Sequence, residues 1–306
     1  MQTGKIFPLV TLIAAIVLSC KKKVVTPIST TANLVFKFKF DSTQTRLNNI
    51  GQPSGVAAGN AAQSPLFDKM SAHYIELAPN AITALGSGAV LYRATETNAG
   101  GSKAIDFEQS KFAANGETFY SVPLKTIAAG AYQWLRLSLS YQQYNVRFRV
   151  DTVISGIAIN QDLSGKAASF LGFNTYIKSY TINTQTVTEN ANRAQGYFGF
   201  ESSITVLGTS YPSVTTHQSP PGAITVVNPL FATSPIPAGS CVVTAAFAPG
   251  QLNITGNETK DIVVEISLST NKSFEWKDKV PNAKWEPFKG EEVVDMGIRG
   301  MVPTIK

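Results

Sequence analysis

The sequence predicts an all-β protein, an antiparallel β-sandwich of immunoglobulin-like or jelly-roll-like plan, with few or no helices after a signal peptide over residues 1–19. Three observations carry that expectation. About a dozen short runs alternate apolar and polar residues, the period of a strand with one dry and one wet face. Turn-forming Pro, Gly and Asn stand between the runs, as in Pro79-Asn80, Gly86-Ser87-Gly88, Pro220-Pro221-Gly222 and Pro235-Ile236-Pro237. Helical periodicity is nearly absent: Ser164 to Leu171 has room for one or two turns, and Thr186 to Gln195 has helical composition without an apolar stripe. No strand-helix-strand alternation occurs, and no repeat of fixed period marks a propeller or solenoid. With 43% hydrophobic and only 15% charged residues, the chain has the profile of one that buries a large core rather than one that stays disordered.

The chain opens with a single cation, Lys5, and an apolar stretch from Ile6 to Leu18. That stretch falls short of the roughly 20 residues a spanning helix needs and has the length of a secretory signal. It ends in Ile16-Val17-Leu18-Ser19-Cys20, followed by Lys21, Lys22 and Lys23. The segment resembles the lipobox of bacterial lipoproteins, with Leu18 standing where many lipoboxes have a small residue. The resemblance implies cleavage after Ser19, lipid attachment at Cys20, and an outer-membrane location facing either the periplasm or the cell surface. Each buried methylene contributes about 0.8 kcal/mol, so two or three acyl chains hold a water-soluble domain on a bilayer. The expected organisation is a signal peptide over 1–19, a lipidated flexible tether over 20–32 and a β-sandwich over 33–306, with 211–221 as a place for a subdivision. The three lysines suit a tether beside anionic head groups.

The strand signals begin at Leu34-Val35-Phe36-Lys37-Phe38-Lys39-Phe40, where Leu34, Phe36, Phe38 and Phe40 share a face and both lysines take the other. Asp41 to Pro65 reads as a long Asn/Gly/Ser-rich loop, a kind of segment that is often functional. His73 to Leu77, Ala89 to Arg93 and Phe119 to Leu124 follow as strands, with Pro123 marking an end or an edge. Trp134 to Leu139, Val146 to Val150 and its continuation to Ile159, Tyr176 to Ile182, and Gly196 to Leu207 alternate in the same way. So do Ile224 to Val227, Cys241 to Phe247, Leu252 to Ile254 and Ile262 to Leu268.

The net charge of +6 falls to +5 once Lys5 is removed, and no basic cluster is interleaved with aromatics, which excludes nucleic acid as a partner. Cys20 and Cys241 are the only cysteines. With Cys20 acylated no intramolecular disulfide can form, and Cys241, in a strand-like run, reads as a small buried apolar residue. HExxH, paired CxxC, GxSxG, P-loop and EF-hand patterns are all absent. No catalytic residue is therefore assigned, and the chain is expected not to be an enzyme.

Only two histidines occur, His73 and His217. His73 is expected half-buried and hydrogen-bonded, and is kept as a candidate ligand contact; His217 reads as an exposed loop residue. Trp134, Trp276 and Trp285 are the other ligand-binding candidates. Trp276 and Trp285 stand among charged and turn-forming residues, as sugar-stacking platforms do and as caps over the edge of a core also do. Trp134 belongs to a cluster with Tyr132, Tyr141 and Tyr144 that carries the same two readings.

Three stretches together resemble the MbnP-like lipoproteins: Leu34 to Phe40, Ala72-His73-Tyr74-Ile75-Glu76-Leu77, and Val122-Pro123-Leu124 with Ile127 to Tyr132 and Leu135-Arg136-Leu137. They cover about a third of the chain. The resemblance implies a β-rich lipoprotein linked to copper handling, with an outer-membrane protein partner. The chain departs from that pattern in lacking a tryptophan-rich segment after the Leu135 strand and in its paucity of histidines. Copper prefers imidazole and thioether ligands, but Met70 and His73, three apart, fall on opposite faces of a strand, so no metal ligand is assigned and the cofactor stays open. The resulting expectation is a lipid-anchored binding or accessory protein with copper handling as its sharpest form. The alternative is a glycan-binding surface lipoprotein of a polysaccharide-utilisation system.

Overall fold

Strand β1, Asn33–Asp41, forms as its alternation dictates: Leu34, Phe36 and Phe38 are fully buried while Lys39 is exposed. The structure, a computed structural model, describes residue 1 and residues 31–154, 156–220 and 240–306. The signal peptide, Cys20, most of the tether and the run Ile224 to Val227 lie outside the described residues. Ala32 does not belong to a tether. It is buried, and its carbonyl accepts from Leu124 N at 2.9 Å.

After β1 come β2 (Asn60–Gln63), β3 (Leu66–Ala78), β4 (Ala89–Arg93), β5 (Glu96–Thr97), β6 (Ala104–Asp106), β7 (Thr118–Pro123) and β8 (Gly130–Tyr132). The long strands β9 (Trp134–Ile154) and β10 (Ile157–Phe170) form a hairpin, followed by β11 (Asn174–Thr181), β12 (Thr186–Ala194), β13 (Tyr197–Val206) and β14 (Thr209–Gln218). The chain ends with β15 (Cys241–Ala246), β16 (Leu252–Ile254), β17 (Ile262–Ser269), β18 (Phe274–Lys277), β19 (Val293–Asp295) and β20 (Met301–Ile305). Among the described residues helical structure is confined to short 3-10 turns, so the all-β, sandwich-like expectation holds.

Two sheets enclose the main core. One runs β20-β17-β1-β7; the other runs β14-β13-β10-β9-β3-β4, with β15 also pairing β9. Leu34, Phe36, Phe38, Val264, Ile266 and Leu268 from the first meet Ile75, Leu77, Leu135, Leu137, Leu139 and Phe148 from the second in one cluster. Smaller sheets run β12-β11-β6-β5, β19-β18-β2 and β16-β8. A second cluster of Tyr141, Phe170, Ile177, Tyr180 and Tyr197 brings residues of β11 against β9, β10 and β13. Tyr141 and Tyr144, three apart on an extended strand, accordingly enter different clusters.

Several expectations are corrected. The sheets are not purely antiparallel: β1 pairs β17 in parallel, as does β6 with β11. Such pairings join segments far apart in sequence, which local periodicity does not report. Ser164 to Phe170 lies in β10, and Thr186 to Ala194 forms β12, because each has a neighbouring strand to satisfy its backbone. Tyr211 to Gln218 lies inside β14, and Thr31–Lys306 is one compact unit. The stretch from Asp41 to Pro65 is not loop throughout: it contains β2, and Glu275 pins it by accepting from Ala57 N at 3.1 Å, Asn60 Nδ2 at 2.6 Å and Arg46 Nη2 at 2.6 Å.

Candidate functional site

β9 outruns its neighbour β3, whose pairing stops at Leu66 against Asn145. Beyond that point the exposed edge of β9 would leave backbone groups without partners, a cost that folded chains avoid. Here two other segments complete it. The Gln63 side chain donates through Nε2 to Arg147 O and accepts from Arg147 N, both at 2.8 Å. Trp285 O accepts from Arg149 N at 2.7 Å. The C-terminal loop is thereby drawn against the second half of β9, and a cleft of about 230 Å3 forms there.

Phe148, Trp276 and Trp285 are the aromatic residues lining this cleft. Trp285 packs edge-on to Phe200 and Phe274, with ring centroids 5.0 and 4.9 Å away, and its Nε1 donates to Glu291 O at 3.3 Å. The rest of the lining is Ala283 and four polar residues, Gln63, Arg147, Asp162 and Lys284. Arg147 and Lys284 are exposed. Asp162 accepts from Lys284 Nζ at 2.7 Å and from Arg149 Nη1 at 2.9 Å, and those two bonds hold its carboxyl below the ordinary aspartate range. Trp285 also borders a second hollow of about 290 Å3 with Phe198 and His217.

The structure brings together two of the four ligand-binding candidates. Trp276 and Trp285 line one cleft, but they are 1% and 3% exposed and belong to the main core, so neither is an open stacking platform. Their charged flanks are surface loops wrapped over a buried ring. Trp134 is half-buried at the start of β9, away from this cleft's lining. Tyr132, Tyr141 and Tyr144 are buried, so the tyrosine cluster is not a surface either. His217 is a strand residue, not a loop residue, stacked on Phe198 at 5.2 Å.

His73 is fully buried, not half-buried, because both faces of β3 are covered from Met70 to Ala78. Its Nε2 lies 3.0 Å from Glu96 Oε1, and its ring packs on Phe173. Met70 sits in the main core. Among the described residues no group of three or more His, Cys, Asp or Glu side chains could hold a metal ion. Cys241 is buried as expected, and burial pushes its thiol up to about 12.

Sequence reasoning missed Arg147, Phe148, Asp162, Lys284 and Gln63. Arg147 and Phe148 sit in a run whose alternation reports only a dry and a wet face. What singles them out is the end of β3 beside them, a long-range property. No protein-family model, curated protein or solved structure matches the chain.

Proposed function

We propose that this chain is a lipid-anchored, non-catalytic binding protein of the outer membrane that takes a saccharide in the cleft beside Trp276 and Trp285. One observation carries the reading: two tryptophans from separate segments and Phe148 line a single hollow whose other side chains, Ala283 apart, are hydrogen-bonding groups. A sugar ring has apolar C–H faces and polar edges, and such mixed lining is what orients it. Because the indoles are deeply packed, only a small part of each ring is open to the cleft they line with Phe148. The saccharide reading stands ahead of copper handling because the described residues offer it a lined cleft.

Anchoring rests on the lipobox resemblance at Cys20. Among the described residues no helix is long and apolar enough to cross a membrane. Intact mass of the native protein should show a diacylglyceryl adduct on Cys20, and Cys20→Ser should lose processing and membrane retention. For the ligand, a Trp134→Phe variant of the mature protein keeps the two cleft tryptophans as fluorescence reporters. Saccharides that bind on a glycan array should shift that emission. If no saccharide binds at millimolar concentration, the reading fails.

A further inference from the structure

We infer that the saccharide taken by this cleft carries a negative group, a carboxylate or a sulfate, held by Arg147 with Lys284. The inference rests on the saccharide reading and follows from which hydrogen-bonding groups of the lining remain free. Each side-chain acceptor of the lining already takes one hydrogen bond. Gln63 Oε1 accepts from Arg147 N at 2.8 Å, Asp162 Oδ1 from Arg149 at 2.9 Å, and Asp162 Oδ2 from Lys284 at 2.7 Å.

The donors are not all engaged. The Arg147 guanidinium, exposed at the rim, has no hydrogen-bond or ion-pair partner among the described residues. No Asp or Glu occurs in residues 2–30, 155 or 221–239, so the rest of the chain supplies no carboxylate for it either. Lys284 spends one of its three N–H donors on Asp162. The indole N–H of Trp276 is buried without a partner.

A neutral sugar presents hydroxyls that both donate and accept, and its donors would have to share acceptors that already take one bond each. A carboxylate or sulfate presents acceptors only, and the planar fork of an arginine matches such groups with two parallel bonds. Asp162 sets the polarity: held ionised by Lys284 and Arg149, it repels a ligand anion from its own side of the cleft and leaves Arg147 as the docking charge.

The test is calorimetric titration of the mature protein with two matched pairs. One pair is tetragalacturonate and its methyl ester; the other is a sulfated carrageenan tetrasaccharide and its desulfated form. We expect the charged member of at least one pair to bind tenfold or more tighter than its neutral partner. Arg147→Ala should remove most of that preference and Arg147→Lys should keep part of it, since lysine retains the charge without the fork. The Arg147 side chain is exposed and unpaired, so neither variant disturbs packing. Equal affinity within both pairs, or a preference unchanged in Arg147→Ala, overturns the inference while the saccharide reading stands. Binding by no member of either pair, with neutral glycans bound elsewhere on an array, also overturns the inference alone; binding by no glycan at all overturns both.

Discussion

Glu76 and Arg136 face each other across β3 and β9, with Oε1 3.6 Å from Nη1 and both side chains buried. Neither charge is left to the other alone. Glu76 also accepts from Tyr74 Oη at 3.1 Å, Gly86 N at 3.0 Å and Gly88 N at 2.7 Å, while Arg136 donates to Thr83 O. The pair thus clamps the segment from Thr83 to Gly88 onto the sheet, and the Gly88 position is compulsory: a Cβ there would stand 2.2 Å from Leu77 O.

Glu76→Ala should therefore be the more damaging of the two truncations. Removing one partner of a buried pair costs about 3–5 kcal/mol, and here two backbone N–H groups and a tyrosine hydroxyl lose their acceptor as well. Arg136→Met should cost less, because Glu76 keeps those three donors. Chemical denaturation of both variants checks the order; equal losses would show that the clamp adds nothing beyond the pair.

Glu96 makes stability fall in acid. Burial raises its carboxyl, but hydrogen bonds from His73, Lys103 and Arg93 outweigh that and hold it at about 2, against 4.5 for the free side chain. Between those values the unfolded chain binds the extra proton, so stability rises with pH there, is complete above about 4.5, and is lost as pH falls through about 2. Glu96→Gln should flatten this part of the curve, measured as midpoint denaturant concentration at pH 2.5 and pH 6. An unchanged slope would dismiss the contribution.

Gly165 sits inside β10, where alanine would ordinarily stabilise by about 0.5–1 kcal/mol through the unfolded chain. The structure reverses that sign. A Cβ at Gly165 would lie 2.5 Å from the Phe200 ring and 2.9 Å from Glu201 O. Phe200 is itself wedged between Phe148 and Trp285, both of which line the cleft. Gly165→Ala is expected to destabilise by about 1–3 kcal/mol, the cost of overpacking, and to shift the tryptophan emission of the folded protein. A thermal midpoint at or above that of the parent would refute it.

Cys241 should resist iodoacetamide at pH 8 in the native protein and react fully in guanidinium, because its thiol is buried and pushed up to about 12. Mass spectrometry reads the adduct directly. Native labelling at the rate of a free thiol would show that β15 opens readily from β9.

Some of this was written in the residue order. The alternation from Leu34 to Phe40 was enough to place three buried side chains and an exposed Lys39, because strand periodicity is a property of the backbone within a few residues. The same local logic made Cys241 a buried strand residue and ruled out helices as the architecture. It failed at His73, expected half-buried and found fully buried, because a strand covered on both faces has no wet side to reveal its period.

What only the tertiary structure decided is which distant residues meet. Trp276 and Trp285 sit among charges in the sequence and among phenylalanines in the fold; the clamp on Glu76 joins strand residues to a turn ten residues away and to a second strand. Arg147 looks like any wet-face arginine until the fold shows β3 ending beside it and no carboxylate among the described residues paired with it. Burial and pairing are sums over neighbours brought together by closing long loops of chain, and no short window of sequence contains those neighbours.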